Sequence, residues 1–209
     1  MTQPTITTDA TARRDAPPDR AVIAVTAIGE GDSAAVARES ARDRAATVRE
    51  SLAEDARSPD RIDTVELRVE DAAQAFDPDT DAPYRAVERL RIECHPEAAS
   101  EVVVRATDAG ATVRNVSFDL REDERRRLQD EALAGAMERA REKAERVAAS
   151  EGLAVGGVLD VSTTDDDAGM SSIVDDALAG NGGDDLGPTP VVASETVEVV
   201  YELVDPDDG

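Results

Sequence analysis

The chain has 209 residues, with 47 Asp and Glu against 23 Lys and Arg, which gives a formal net charge of −24 at pH 7. A surface this acidic repels phosphate backbones, so we expect no nucleic-acid partner. Residues 1–20 lack the apolar core of a signal peptide, and no run of about 18 apolar residues occurs anywhere. We therefore expect a cytoplasmic protein without membrane insertion.

The basic residues are arginines with one exception, Lys143. Few lysines and many carboxylates are typical of proteins that work in concentrated salt. Carboxylates hold water and cations, and salt shortens the Debye length to about 3 Å at 1 M, which screens their repulsion. An ordinary acidic protein from a GC-rich genome is the alternative, but the composition favours halophilic adaptation.

The first elements are two strands and a helix. Residues 5–12 are Thr-rich and predict a weak strand or arm within residues 1–15. Residues 20–28 are apolar on both faces, which is typical of a strand in the middle of a sheet. The Gly29–Glu30–Gly31 segment lacks the third glycine of a phosphate-binding motif, so we interpret it as a tight turn. A helix should then run to about Leu52, with a buried face that consists mostly of alanines.

A hairpin and a second helix come next. Residues 65–69 alternate apolar and charged side chains and predict a half-exposed strand. Residues 77–81 form the turn, and residues 84–93 return as its partner. Pro96 begins the second helix and Gly110 ends it.

The last third contains a strand, a long helix and two more strands. Alternation at residues 116–120 predicts a strand, and a helix should run from about Glu122 to Ser150 and end at Gly152. Strands are expected at residues 153–162 and 191–203. The buried stripe of the helix is predicted to contain Leu128, Ala132, Leu133, Ala136, Met137, Ala140, Ala144 and Val147.

Between the last two strands, residues 163–190 are rich in Asp, Gly and Ser, and we interpret them as a flexible acidic insertion. The expected fold class is α+β, in the order β-β-α-β-β-α-β-α-β-β, with helices packed on a mainly antiparallel sheet. Residues 16–204 should form one domain, followed by a tail at residues 205–209.

Several segments of this order resemble the SIMPL-domain family. The resemblance runs from about Thr5 to Val204, and alanines at every fourth position carry it most clearly, followed by Glu151–Gly152–Leu153. It implies homo-oligomers in some members and no established enzymatic activity, and the family includes periplasmic proteins linked to oxidative-stress defence and an envelope immunogen. The alanines are Ala132, Ala136, Ala140, Ala144 and Ala148.

Candidate sites in the sequence are few. Cys94 beside His95 is a weak redox candidate, although adjacent strand residues point to opposite faces and Cys94 alone is also typical of a core residue. One Cys and one His cannot form a zinc site of usual composition. Asp pairs and triplets between residues 165 and 185 offer oxygen ligands for calcium or magnesium, but they lack EF-hand spacing. We expect no cofactor and no metal.

Two functions follow as hypotheses. The first is a non-enzymatic, self-associating SIMPL-type protein, with a role in stress defence. The alternative is a module that binds a small molecule or a protein, through the exposed face of the sheet or through the acidic insertion. An unrecognised hydrolase stays a third, weaker possibility.

Overall fold

The computed structural model of the protein describes residues 4–53, 58–71, 82–164 and 188–206. Within these ranges seven strands and three helices follow one another in the predicted order, and every strand pairing is antiparallel. The α+β prediction is therefore confirmed. The elements are β1 (Thr5–Ala16), β2 (Arg20–Gly31), α1 (Ala34–Ala53), β3 (Arg61–Asp71), β4 (Tyr84–Cys94), α2 (Ala99–Asp108), β5 (Thr112–Asp119), α3 (Glu122–Ser150), β6 (Ala154–Thr164) and β7 (Val191–Val204).

The described residues divide into two compact units. Pro18–Asp119 forms one unit, and the described parts of Met1–Pro17 and Leu120–Gly209 form the other. We call them the inner and the outer unit from their order along the sequence, since the first lies between the two segments of the second. Each unit has its own sheet, where the sequence predicted one mainly antiparallel sheet. Alternation within a strand indicates which face is apolar but not which strand lies beside it. The number of sheets could therefore not be predicted from it, because it depends on pairing between distant residues.

The inner unit has a four-stranded sheet in the order β3-β4-β2-β5, covered on one face by α1 and α2. This β-α-β-β-α-β arrangement is ferredoxin-like. The core lies between sheet and helices, and β2 and β4 supply its largest side chains, among them Ile23, Val25, Leu90 and Ile92. These residues alternate along their strands. Strand β2 lies inside the sheet as predicted, but its face with Val22, Ala24 and Ile28 is half-buried, although apolar character on both faces had predicted a fully buried strand.

Gly29 lies inside β2 and not in a turn, so the predicted turn at residues 29–31 is wrong. The strand continues to Gly31, and Gly29 pairs with Ala86 of β4. A Cβ at position 29 would lie 2.2 Å from the nitrogen of Ala41 and 2.3 Å from the carbonyl oxygen of Ala37. This glycine therefore permits the close approach of β2 to α1, and its role is in packing.

Strand β3 departs from the simple alternation that its sequence indicates. The pairing with β4 shifts between Thr64 and Glu66, which leaves Val65 as an extra residue. A bulge of this kind moves the following side chains relative to the faces of the sheet. Val65 is consequently 63% exposed and Val69 38% exposed, so neither forms the buried face that the pattern predicted.

The outer unit has a three-stranded sheet in the order β1-β7-β6, with α3 packed on one face. The N-terminal segment is a full strand and not a weak arm, because all of its residues from Thr5 to Ala16 pair with β7. Its register places Thr8 and Ala12 against α3. The paired residues lie 175 to 197 positions apart in the chain, from Ala16↔Val191 to Thr5↔Glu202, so local sequence patterns could not predict this pairing.

The alanine row of α3 faces this sheet. All five alanines are buried, and three of them, Ala136, Ala140 and Ala144, pack with Val197, Val199 and Tyr201 of β7. The hydroxyl of Thr8 donates a 3.0 Å hydrogen bond to the carbonyl oxygen of Ala140. Small side chains thus let the backbone of the helix approach the strand. Val147, which was predicted to lie in the buried stripe, is instead 48% exposed.

Replacing Ala140 by leucine is expected to destabilise the protein by about 1–3 kcal/mol. The added side chain would enter a fully buried position where Thr8 already bonds the helix backbone. Thermal or urea unfolding measures the loss, and Val147→Leu on the exposed side of the same helix is the matched control. An unchanged melting midpoint for Ala140→Leu would contradict the packing described here.

The two helix ends that were predicted from glycines agree with the backbone. Gly110 after α2 and Gly152 after α3 have φ angles of 87° and 73°. After α3, Leu153 N–H bonds to the carbonyl of Ala148 at 2.9 Å, as in a Schellman motif. The predicted insertion lies mostly outside the described residues, but its first two residues, Thr163 and Thr164, belong to β6.

Candidate functional site

The predicted redox candidate, Cys94, lies in the core of the inner unit. Its side chain is 1% exposed at the end of β4. Burial, with a smaller contribution from the negative charge of Asp60, raises the pKa of this thiol from 9.0 to about 11. A reactive thiol requires the opposite conditions, namely exposure and a lowered pKa. Its surroundings therefore favour a core role for Cys94.

His95 acts as a helix cap. Its Nδ1 accepts a hydrogen bond of 3.4 Å from the backbone N–H of Glu97, at the start of the short 3₁₀ turn Pro96–Ala98. Cys94 is buried while His95 is exposed, as expected for neighbours that point to opposite faces. The two side chains thus have separate structural roles.

Native Cys94 is expected to resist alkylation by iodoacetamide at pH 8, and to react within minutes once the chain is unfolded. The raised pKa keeps the thiol protonated, and its burial denies access to the reagent. The raised pKa also makes stability depend on pH. Because the pKa of the thiol is higher in the folded chain than in the unfolded chain, its contribution to the free energy of unfolding is retained below pH 9 and is lost as the pH rises towards about 11. Mass spectrometry measures the labelling. Rapid labelling of the folded protein would contradict the core role.

Another group of polar side chains lies on the helix-covered face of the inner sheet. Glu88 of β4 is 5% exposed, and its Oε1 accepts a 3.0 Å bond from Nη2 of Arg49 and a 3.1 Å bond from the hydroxyl of Thr64. Arg49 Nη2 also lies 2.6 Å from the Thr64 hydroxyl. Each of α1, β3 and β4 contributes one residue, so this Glu88 cluster joins three elements of the unit.

A cleft of about 440 Å³ lies beside the cluster, lined by Arg42, Arg49, Thr64, Leu67 and Glu88. Both hydrogen bonds to Glu88 end on Oε1, and neither uses Oε2. The lining presents cationic, anionic and apolar groups side by side. Such a lining suits a small ligand with both a charged and an apolar part.

Sequence reasoning missed Glu88, although a signal was present. Along β4 the inward positions are Ala86, Glu88, Leu90, Ile92 and Cys94, so one carboxylate interrupts an apolar series. A buried carboxylate needs a hydrogen-bonded partner. The identity of that partner was not available from local sequence, since Arg49 and Thr64 come from two other elements.

The aspartates between residues 165 and 185, which the sequence analysis considered as cation ligands, lie outside the described residues. Within the part of the chain that is described, no group of three or more His, Cys, Asp or Glu side chains is arranged to hold a metal ion. No helix there is long and apolar enough to cross a membrane.

Among the described residues of the outer unit, β6 carries most of the large apolar side chains that are exposed. Val158, Leu159 and Val161 are 47%, 53% and 43% exposed. The strand lies at the edge of its sheet, while α3 packs mainly on β1 and β7. The pairing with β7 also shifts on both sides of Val158, before the regular stretch Asp160–Thr164. This strand is therefore a candidate contact surface.

These features define an α+β protein built from a ferredoxin-like unit and a three-stranded unit with an alanine-rich helix. The chain belongs to the SIMPL family, described as a protein of unknown function (DUF541), whose model matches residues 6–203. The predicted family resemblance is thereby confirmed.

Comparisons with curated proteins and with solved structures do not indicate a function. No curated protein matches the chain. Among solved structures, the regulatory subunit of aspartate kinase from Thermus flavus matches with 16% sequence identity over 92% of this chain and 87% of that chain, at a TM-score of 0.22. A similarity this low supports no statement about the function of this chain.

Proposed function

We propose that this protein is a non-enzymatic member of the SIMPL family that acts by self-association, with an accessory role in stress defence. The observation that carries the proposal is the exposed apolar edge strand β6 on an otherwise strongly acidic chain. Large exposed apolar groups on a sheet edge are a template for pairing with another chain. The stress-defence part follows from what the family resemblance implies.

The non-enzymatic part of the proposal is supported by the state of the two chemically notable residues. Cys94 is buried with a raised pKa, and Glu88 is held by Arg49 and Thr64. Both are therefore occupied in stabilising the inner unit. We further propose that the protein works in the cytoplasm and, from its acidic composition, at high salt concentration.

Light scattering after size-exclusion chromatography in 2 M KCl tests self-association. The expected mass is a multiple of the 22.1 kDa chain mass. A monomer at every protein and salt concentration would reject the proposal. For the cellular role, a strain that lacks the gene should survive oxidant exposure less well than its parent, and restored expression should recover survival.

The alternative function, a small-molecule binding module, is favoured by the cleft beside the Glu88 cluster. A ligand bound there would raise the melting midpoint of the wild type, and Arg42→Ala would reduce the shift while leaving the Glu88 hydrogen bonds in place. A screen of small zwitterionic and anionic metabolites that gives no shift would remove this alternative.

A further inference from the structure

The carboxylate of Glu88 is only partly used by its neighbours. Its Oε1 accepts the hydrogen bonds from Arg49 and Thr64, and within the described residues its Oε2 has no hydrogen-bond partner. Glu88 is 5% exposed, yet Oε2 is not fully enclosed. Because Glu88 lines the cleft of about 440 Å³, Oε2 is reached through that cleft. The cleft therefore contains a buried carboxylate oxygen that can accept a hydrogen bond from a ligand.

The guanidinium group of Arg42 is a second available group in the cleft. Arg42 and Arg49 are seven residues apart on α1, which places them two turns apart on the same side of the helix. Arg49 bonds to Glu88 and Thr64, whereas no hydrogen bond or ion pair joins Arg42 to another described residue. Arg42 can thus offer its N–H donors and its charge to a ligand.

The apolar part of the lining is Leu67 of β3. It lies directly opposite Glu88 in the pairing of β3 with β4. Val69, two residues later on the same face of β3, is 38% exposed. Apolar surface therefore lies beside Glu88, while both arginines of the cleft come from α1.

The opposite charges of the two available groups restrict the ligand. A ligand that has only a carboxylate would bring its negative charge towards Oε2 of Glu88, and one that has only an ammonium group would meet two guanidinium groups. A zwitterion instead presents a donor to Glu88 and an acceptor to Arg42, and both hydrogen bonds are charge-assisted. The cleft also has a volume within the range of roughly 300–1,000 Å³ that is typical of small-molecule sites.

We propose that this cleft binds a small zwitterion with an aliphatic part. The ammonium group donates a hydrogen bond to Oε2 of Glu88, the carboxylate accepts from the guanidinium group of Arg42, and the aliphatic part packs on Leu67. The inference rests on the alternative function proposed above, a small-molecule binding module, and names its ligand class. It is independent of self-association, which the mass measurement tests separately.

Four compounds with six carbon atoms each test the ligand class. The zwitterions 2-aminohexanoate and 6-aminohexanoate are isomers that differ in the separation of their charges, hexanoate lacks the ammonium group, and hexylammonium lacks the carboxylate. In isothermal titration calorimetry, at least one zwitterion should bind at least tenfold more tightly than hexanoate and hexylammonium. Each singly charged compound loses one charge-assisted hydrogen bond and keeps one repulsion.

Substitutions on α1 test the place of the carboxylate. Arg42→Gln should raise the Kd of the tighter zwitterion at least tenfold. Arg38→Gln, one turn earlier on the same helix and outside the cleft lining, is the matched control and should change the Kd less than twofold. Both arginines are exposed, so neither substitution disturbs the core.

Two measurements place the rest of the ligand. Glu88→Gln keeps the size of the side chain and removes its charge, so it should also raise the Kd at least tenfold, with circular dichroism as the check that the variant folds. The methyl signals of Leu67 in NMR spectra of the wild type should shift when the zwitterion is added. This second measurement decides the place of the ligand even if Glu88→Gln does not fold.

The outcomes separate the ligand class from the binding function. Tighter binding of a zwitterion that Arg42→Gln weakens and Arg38→Gln retains, with shifted Leu67 signals, supports the proposal. Equally tight binding of hexanoate or hexylammonium, or equal binding by wild type and Arg42→Gln, overturns it. If none of the four compounds binds but another metabolite raises the melting midpoint, the ligand class is overturned and the binding module stands. If no compound of either set binds, both are overturned.

Discussion

Replacing Gly29 by alanine is expected to cost at least the upper end of the usual range of about 1–3 kcal/mol for overpacking. The new Cβ would overlap the backbone of α1 at Ala37 and Ala41, at 2.3 Å and 2.2 Å. A side-chain rotation cannot relieve a clash with backbone, so β2 and α1 would have to separate. At about 2–4 °C per kcal/mol for a chain of this size, the melting midpoint should fall by roughly 10 °C.

The matched control is Gly157→Ala in β6. Among the described residues beyond its two chain neighbours, no heavy atom lies within 4 Å of a Cβ at that position, so the same chemical change should leave the midpoint almost unaffected. Both variants can be melted in the same buffer at high salt. Equal midpoints for the two variants would show that β2 and α1 are farther apart than described here.

Raising the KCl concentration from 0.1 M to 2 M is expected to raise the melting midpoint by on the order of 10 °C, at about 2–4 °C per kcal/mol. With 47 acidic against 23 basic residues, 24 carboxylates remain in excess even if every cation is paired. Salt weakens their repulsion. It also weakens exposed ion pairs such as Arg89–Glu66, but such pairs contribute little individually. The screening of repulsion should therefore dominate.

A non-ionic solute separates screening from general stabilisation. Sucrose also favours compact states through its exclusion from the protein surface, but it does not screen charge. Melting in sucrose at the same water activity should thus raise the midpoint much less than KCl does. The proposal that the protein is adapted to salt rests on composition alone. A melting midpoint that fails to rise with KCl would contradict it.

Local periodicity in the sequence predicted most elements of the fold. The bounds of α3 at Glu122 and Ser150 follow from the alanine row and from Gly152, because helical spacing and helix ends are encoded within a few residues. The hairpin of β3 and β4 followed from alternation, although its predicted turn at residues 77–81 lies outside the described residues. The resemblance to the SIMPL family was also visible in the sequence, because it depends on the same local patterns, above all the alanine row.

The candidate sites were less predictable, because they depend on contacts between distant segments. Glu88 could be recognised as a carboxylate at an inward position, but its partners lie on α1 and β3. The exposure of β6 depends on which strands α3 covers. In β3, a single bulge at Val65 was enough to alter the exposure that alternation implied.

The sequence by itself determined the acid-rich composition, the order of helices and strands, and the alanine face of α3. Each of these is a property of residues close together in the chain. Only the tertiary structure decided that there are two sheets in the described residues, that Gly29 serves packing, and that β6 is left at an edge. Strand pairing joins residues as distant as Thr5 and Glu202, and no local pattern specifies which partner a strand takes.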